Sequence, residues 1–457
     1  MHPLVTNRRK IQVILCLGVI ALAWAGLIFF AQQRTKWAIN LTHELFAWTI
    51  LATYFGLWAA LTLGTRKSKL CIFHSIMVTF TLVIILGIFE AAAAIRIVHW
   101  QLIFERIAGD GTNYFWSYVA DSDLGFRRQP NDHWSGRPTS DVEMGSLMPA
   151  TLSEPISFTY DRWGYRNATD LDQADVALIG DSYTEGWYVS DDETAASRLS
   201  AYLRRPVANL GIAGYGPLQE LIVLQKDATR FNPKVVVWFF FEGNDLYDDY
   251  EFERNLPVYS TWPDDIKGRP EGFTREHGWK ERSFVRNLLV RLRRWSYSIL
   301  PTWPSYSGRL NVTGHDGRIV YFADYPTQPW SDWILSQWKK TQETLQKAVE
   351  YTRDHNIRLL FAFVPIKFRV YQPFVDFSAN SPENSWSTWP IDEYFLQFCR
   401  SVSVPCIDLT PIFQNAVAEG GMPYAAVDTH WGPEGHDLVA RVLKAELKRR
   451  GWLHSNP

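Results

Sequence analysis

Three long apolar runs open the chain, and a regular alternation of short apolar runs with amphipathic stretches closes it. Residues 11–31, 45–64 and 71–89 carry no charge over about 21, 20 and 19 residues, each enough to cross roughly 30 Å of hydrocarbon as a helix. A cleaved leader would explain the first run, since Arg8, Arg9 and Lys10 precede it. Its apolar part is too long for that, and two more runs follow. The expectation is a membrane anchor over residues 1–95 with three transmembrane helices. Basic residues before the first run and between the second and third (Arg66, Lys67, Lys69) mark the cytoplasmic loops and put the rest of the chain outside the cytoplasm. Arg34, Lys36 and Arg96 narrow that margin. His74 and Glu90 sit near the ends of the third run, where they reach the interface.

From about residue 175 the rhythm changes to β-rich runs at 176–179, 207–210, 235–241, 357–364 and 406–409. Helical stretches lie between them near 193–203, 218–229, 333–353, 391–400 and 434–450. That alternation predicts βαβ units and a parallel sheet in an α/β domain over residues 175–457. The run 235–241, Val-Val-Val-Trp-Phe-Phe-Phe, is apolar on both faces, as a central parallel strand must be. Two stretches break the rhythm. Residues 96–174 read as a linker and N-terminal extension packing on the α/β domain. Residues 246–331 read as an insert rich in aromatics, among them Trp262, Trp295, Trp303, Tyr306, Tyr321, Tyr325 and Trp330. Flat rings of this kind suit sugar rings or acyl chains, and equally a small core of the insert's own.

Charge and cysteine content remove several function classes. With 46 basic and 48 acidic side chains the chain has no field to gather a polyanion, so nucleic-acid binding is not expected. Four cysteines do not make a disulfide framework, and no metal-type spacing occurs. Cys16 and Cys71 lie in apolar runs as small hydrophobes. Cys399 and Cys406 could pair outside the cytoplasm, but spacing alone leaves that open.

Ligands of open parallel sheets sit beyond the carboxyl ends of the strands, and here those ends are polar. The first ends in Gly180-Asp181-Ser182, the second in a stretch from Asn209 to Gly214, the third in Gly243-Asn244-Asp245; Asp428-Thr429-His430-Trp431 precedes the last helix. A serine hydroxyl needs a base at neutral pH, and a histidine oriented by a carboxylate supplies one. Ser182, His430 and Asp428 are therefore the candidate nucleophile, base and orienting acid. The backbone N–H groups of Ser182 and Gly214 and the amide of Asn244 are candidate oxyanion donors.

Competing readings exist for each piece. Gly211, Gly214 and Gly216 lack the spacing and lysine of a phosphate loop. His436 competes with His430 but falls inside the last amphipathic helix, where a packing histidine is common. Asp245, Asp248, Asp249 and Glu251 could suggest a cation site; a charged loop is the plainer account, and neither metal nor cofactor is expected. Lys367, just past the fourth strand, could face an anionic substrate group.

The four segments resemble, in order and spacing, the motif blocks of the SGNH/GDSL hydrolase superfamily. The resemblance covers about residues 160–450. It implies a flavodoxin-like three-layer α/β/α sandwich, Ser182 as nucleophile, Gly214 and Asn244 as oxyanion donors and His430 as base. Many members place the aspartate three residues before the histidine, whereas here the gap is two. The Asp-x-His-Trp form looks like that of alginate-type polysaccharide O-acetyltransferases. Ser182 is followed by Tyr183 and Thr184, so the G-x-S-x-G elbow of α/β-hydrolases is absent. The functional expectation is a serine ester hydrolase at the extracytoplasmic face, acting on O-acyl groups of envelope glycans or lipids. An O-acyltransferase that modifies an envelope polysaccharide, with a membrane partner supplying the acyl donor, uses the same residues. A non-catalytic glycan-binding module with a relic site is the third possibility.

Overall fold

The computed structural model describes residues 3–31, 36–64, 68–95, 97–98, 100, 103–104, 117–142, 153–259, 266–267, 282–299, 307–312, 314, 317–322, 331–377, 379 and 381–453. The chain divides into two compact units. One comprises Met1–Gly111, Val142–Pro149 and Arg275–Ser305, the other Thr112–Asp141, Ala150–Thr274 and Tyr306–Pro457.

The apolar runs form three long helices, Pro3–Ala31, Lys36–Gly64 and Ser68–Ala94. Two of these, rather than the expected three, carry stretches of spanning length and hydropathy among the described residues: Lys10–Leu27 and Lys69–Ala94. The apolar stretch found in the middle helix, Trp48–Leu63, is shorter. The same unit includes the helix Phe284–Ile299, which comes from the insert. Glu90 caps it, since Glu90 Oε1 accepts hydrogen bonds from Ser283 Oγ (2.9 Å) and Val285 N (2.6 Å). The Phe284 ring packs on Phe89 and Trp100 with centroids 4.7 and 4.9 Å apart.

The larger unit is built on five parallel strands: β1 Val176–Ile179, β2 Val207–Asn209, β3 Val235–Phe241, β4 Arg358–Val364 and β5 Cys406–Asp408. Their order across the sheet is β5-β4-β3-β1-β2. The chain runs outward from β1 to β2, then returns to the other side of β1 with β3. The order reverses there, and the crevice at the carboxyl ends of β1 and β3 is where ligands bind such sheets. Registers Ile179↔Trp238 and Phe363↔Phe240 align those ends.

Period-two alternation along the strands divides the core in two. Ala177, Ile179, Val236, Trp238, Phe240, Phe361 and Phe363 face helices Pro217–Lys226, Asp332–Asp354 and Ile391–Val402. Val176, Leu178, Val235, Val237, Phe239, Phe241, Leu360 and Val364 face helices Ala195–Leu203, Leu409–Ala418 and Pro433–Arg449. The result is a three-layer α/β/α arrangement, and all seven residues of β3 are buried, as its all-apolar sequence requires.

Ahead of β1, the strands Ser117–Asp121 and Gly125–Arg128 form an antiparallel hairpin, and His133–Gly136 pairs with Ile156–Thr159. Cys399 and Cys406 form a disulfide, with Cα atoms 6.2 Å apart, that ties Ile391–Val402 to the start of β5.

Candidate active site

β1 ends at Ile179, Gly180 follows it, and Ser182 opens the four-residue helix Ser182–Glu185. Asp181 caps that helix, its Oδ1 accepting from Tyr183 N at 3.0 Å. The glycines are sterically required: a Cβ at Gly180 would lie 2.2 Å from Thr184 Oγ1, and one at Gly211 would lie 2.4 Å from Glu185 N. The loop after β2 is thus pressed against the helix that carries Ser182. Gly214, at φ +84°, belongs to this loop, and Asn244 directly precedes the helix that follows β3, Asp245–Tyr259. Ser182, Gly214 and Asn244 therefore converge on one sheet edge. Asn244 Oδ1 is buried without a hydrogen-bond partner among the described residues.

His430 completes the constellation. Its Nε2 lies 2.9 Å from Ser182 Oγ, and its Nδ1 lies 2.6 Å from Asp428 Oδ1. Asp428 Oδ1 also accepts from His430 N at 2.9 Å, which the two-residue gap between them permits. Burial works to raise the Asp428 carboxyl, but the adjacent imidazole outweighs it and holds it below the usual range. Burial likewise pulls His430 down; Asp428, Asp141 and Asp181 outweigh it and hold the imidazole above 6.5. Such a group can take the serine proton, be stabilised as imidazolium, and return the proton to a leaving group.

Two residues that hold this loop were not picked out for that role in the sequence. Asp141, from the extension, accepts from Thr429 N (3.0 Å) and from Thr429 Oγ1, while its own N donates to Asp428 Oδ2 at 2.9 Å. Burial and the charge of Asp428 push Asp141 up. No motif marks it, because its partners lie almost 300 positions away. Lys367 overturns the expectation of an anion-facing cation: its buried ammonium donates to the carbonyls of Ala425, Ala426 (3.1 Å) and Asp428 (2.9 Å). All three of its donors are spent on the His430 loop. Tyr183 OH donates to Thr429 O at 2.7 Å, and the buried Trp431 packs against the Tyr183 ring at 5.1 Å.

His436 sits elsewhere. Its Nδ1 accepts from Ala195 N at 3.2 Å, and burial pulls it down to about 3, so it is a neutral packing histidine. The ligand atoms of Asp141, Asp428 and His430 lie within 4.8 Å of one another. Asp428 and His430 bond each other, His430 Nε2 meets Ser182 Oγ, and Asp141 and Asp428 accept from the backbone N–H groups of Thr429, His430 and Asp141. Asp245 accepts from Phe241 N, Asp249 from Leu218 N and Thr341, and Glu251 from Arg254 and Asn255, so each acts in the structure. Of the insert's aromatics, Trp262, Trp303, Tyr306, Tyr325, Trp330 and the Trp295 side chain lie outside the described residues.

Residues 334–457 match the family described as SGNH hydrolase-like domain, acetyltransferase AlgX. The likeness to an SGNH hydrolase-like domain is thus carried by the C-terminal part of the chain. It is similar to a probable alginate O-acetylase AlgJ of Pseudomonas putida, 26% identical over 164 residues, which cover 34% of this chain and 40% of that protein. The chain thus spans well under half the length of that relative. Among solved structures, a GDSL-like lipase from Bacteroides thetaiotaomicron aligns at 11% identity and TM-score 0.30, over 60% of this chain and 88% of the lipase. The acetylxylan esterase Axe2 from Geobacillus stearothermophilus aligns at 14% and TM-score 0.31, over 63% and 99%.

Proposed function

We propose that this chain is a serine-dependent O-acyltransferase that moves a small acyl group onto a hydroxyl of an envelope polysaccharide. The observation that carries the reading is the relay Ser182 Oγ, His430 Nε2, Asp428 Oδ1 at 2.9 and 2.6 Å. In it Ser182 Oγ attacks the donor carbonyl as His430 takes the hydroxyl proton. The oxyanion is met by the N–H groups of Ser182 and Gly214 and the amide of Asn244. Collapse expels the donor's leaving group with the proton from His430, leaving acyl-Ser182. An acceptor hydroxyl then gives its proton to His430 and attacks the ester, and collapse breaks the acyl–Ser182 bond as His430 returns the proton to Ser182 Oγ. Asp428 stays ionised and keeps Nδ1 protonated.

The matches to an acetyltransferase family and an alginate O-acetylase favour a sugar hydroxyl as acceptor. If water takes that place, the same residues make an esterase, which is the second reading. Localisation outside the cytoplasm is supported by the apolar helices, the basic clusters Arg8–Lys10 and Arg66–Lys69, and the Cys399–Cys406 disulfide. The test is to incubate the full chain with an activated acetyl ester and a deacetylated acidic polysaccharide. Acetylated glycan should form with the native chain and not with Ser182→Ala. Release of acetate without any acylated glycan at saturating acceptor rejects the transferase reading in favour of hydrolysis.

A further inference from the structure

Glu185, the last residue of the helix that starts at Ser182, is fully buried and binds two parts of the molecule at once. Its Oε1 accepts from Arg128 Nε at 2.8 Å and from Tyr160 OH. Its Oε2 accepts from Arg128 Nη2 at 2.9 Å and from Ala213 N at 2.7 Å. Ala213 immediately precedes Gly214. The fork-on-fork geometry with Arg128 fixes the plane of the carboxylate, so the direction in which Oε2 meets Ala213 N is fixed too. Arg128 is itself held: its guanidinium lies 4.4 Å above the Tyr118 ring and 5.8 Å from that of Trp187. Both Arg128 and Tyr160 come from the extension that precedes β1.

A charged pair this deep costs more to desolvate than an apolar pair of the same size, so packing alone does not account for it. What it supplies is direction. The Ser182 turn and the Gly214 loop are two separate excursions from β1 and β2, and their only shared carboxylate among the described residues is Glu185.

We infer that Arg128 and Glu185, with Tyr160, are positioning residues that hold the 211–214 loop against the Ser182 helix, so that the Gly214 N–H points where the oxyanion forms. The inference rests on the nucleophile and oxyanion reading above. It makes the extension before β1 a working part of the site.

The test compares Arg128→Ala, Glu185→Gln and Tyr160→Phe in the full chain, with Ser182→Ala alongside, by hydrolysis of a chromogenic acetyl ester. Arg128→Ala is expected to lower kcat about 10²-fold, the scale of one misplaced oxyanion donor, with KM little changed. Methylguanidine added to Arg128→Ala should restore kcat in part, whereas a fold-stabilising role alone predicts no recovery. Tyr160→Phe keeps the ion pair, folds, and should lose only a few-fold in kcat, so the series remains readable if Arg128→Ala does not fold. Folded variants with native kcat, or losses confined to KM, overturn the inference. Unchanged activity in Ser182→Ala instead overturns the nucleophile reading, whatever the other variants do.

Discussion

His430 and His436 flank the start of the same helix, and both touch Trp431 or its neighbours, yet the fold gives them opposite electrostatic surroundings. His430 lies among three carboxylates, Asp428, Asp141 and Asp181, which outweigh the pull of burial and raise its affinity for a proton. His436 is more deeply buried, faces Arg166 and Arg198 and a backbone donor, and stays neutral down to about 3. Desolvation disfavours the proton on both. The sign of the surrounding charge is what sets their proton affinities apart.

The largest effect should come from His430→Ala. With the base gone, kcat is expected to drop by about 10⁴-fold or more while the fold persists, as read by ester hydrolysis and circular dichroism. An activity near that of the native enzyme would erase the distinction between the two histidines. Next in size is Lys367→Met, which takes one donor from each of three carbonyls of the His430 loop and leaves Ala426 O with Tyr321 N. A loss of about 10²-fold in kcat, with KM little altered, is expected from steady-state kinetics. His436→Ala should leave kcat within about twofold and instead cost about 2 kcal/mol of stability, because Ala195 N loses its buried acceptor. Thermal unfolding measures it.

The smallest effects are in pH dependence, where the two histidines act with opposite sign. His430, raised in the fold, adds stability that is present below 6.5 and is lost as pH rises through its folded value. His436 is depressed, so the unfolded chain takes up a proton between 6.5 and about 3 that the folded chain does not, and stability is lost as pH falls through that window. His436→Ala should flatten the acid side of a denaturant midpoint against pH. For catalysis, the acid limb of kcat/KM should lie above 6.5, because His430 must be neutral to accept the serine proton. Asp141→Asn removes one carboxylate that raises it and should move the limb to lower pH; an unmoved limb removes Asp141 from the account.

Much of this contrast was legible in the sequence. The rule that strand ends carry the chemistry singled out Ser182, Asp428 and His430, which the structure brings within hydrogen-bond distance of one another, and helical position set His436 aside. Periodicity found the five strands to within a residue or two, because a parallel sheet covered on both faces needs short apolar runs. Lys367 was misread because a lysine at a strand end looks like a substrate contact; only the path of residues 425–428 reveals three carbonyls turned toward it. Asp141, Arg128 and Glu185 left no signal, since each acts through a partner distant in sequence or hidden in a turn. Three apolar runs suggested three spans; among the described residues two helices carry stretches of spanning length and hydropathy, and the middle helix a shorter one, Trp48–Leu63.

The central claim is that Ser182 is the acyl-carrying nucleophile driven by His430. Its most direct test is to treat the full chain with a fluorophosphonate and map the adduct by mass spectrometry. The account predicts one phosphonyl group on Ser182, strongly slowed in His430→Ala, unaffected in His436→Ala and absent in Ser182→Ala. An adduct on another residue, or labelling that survives in Ser182→Ala, would contradict it.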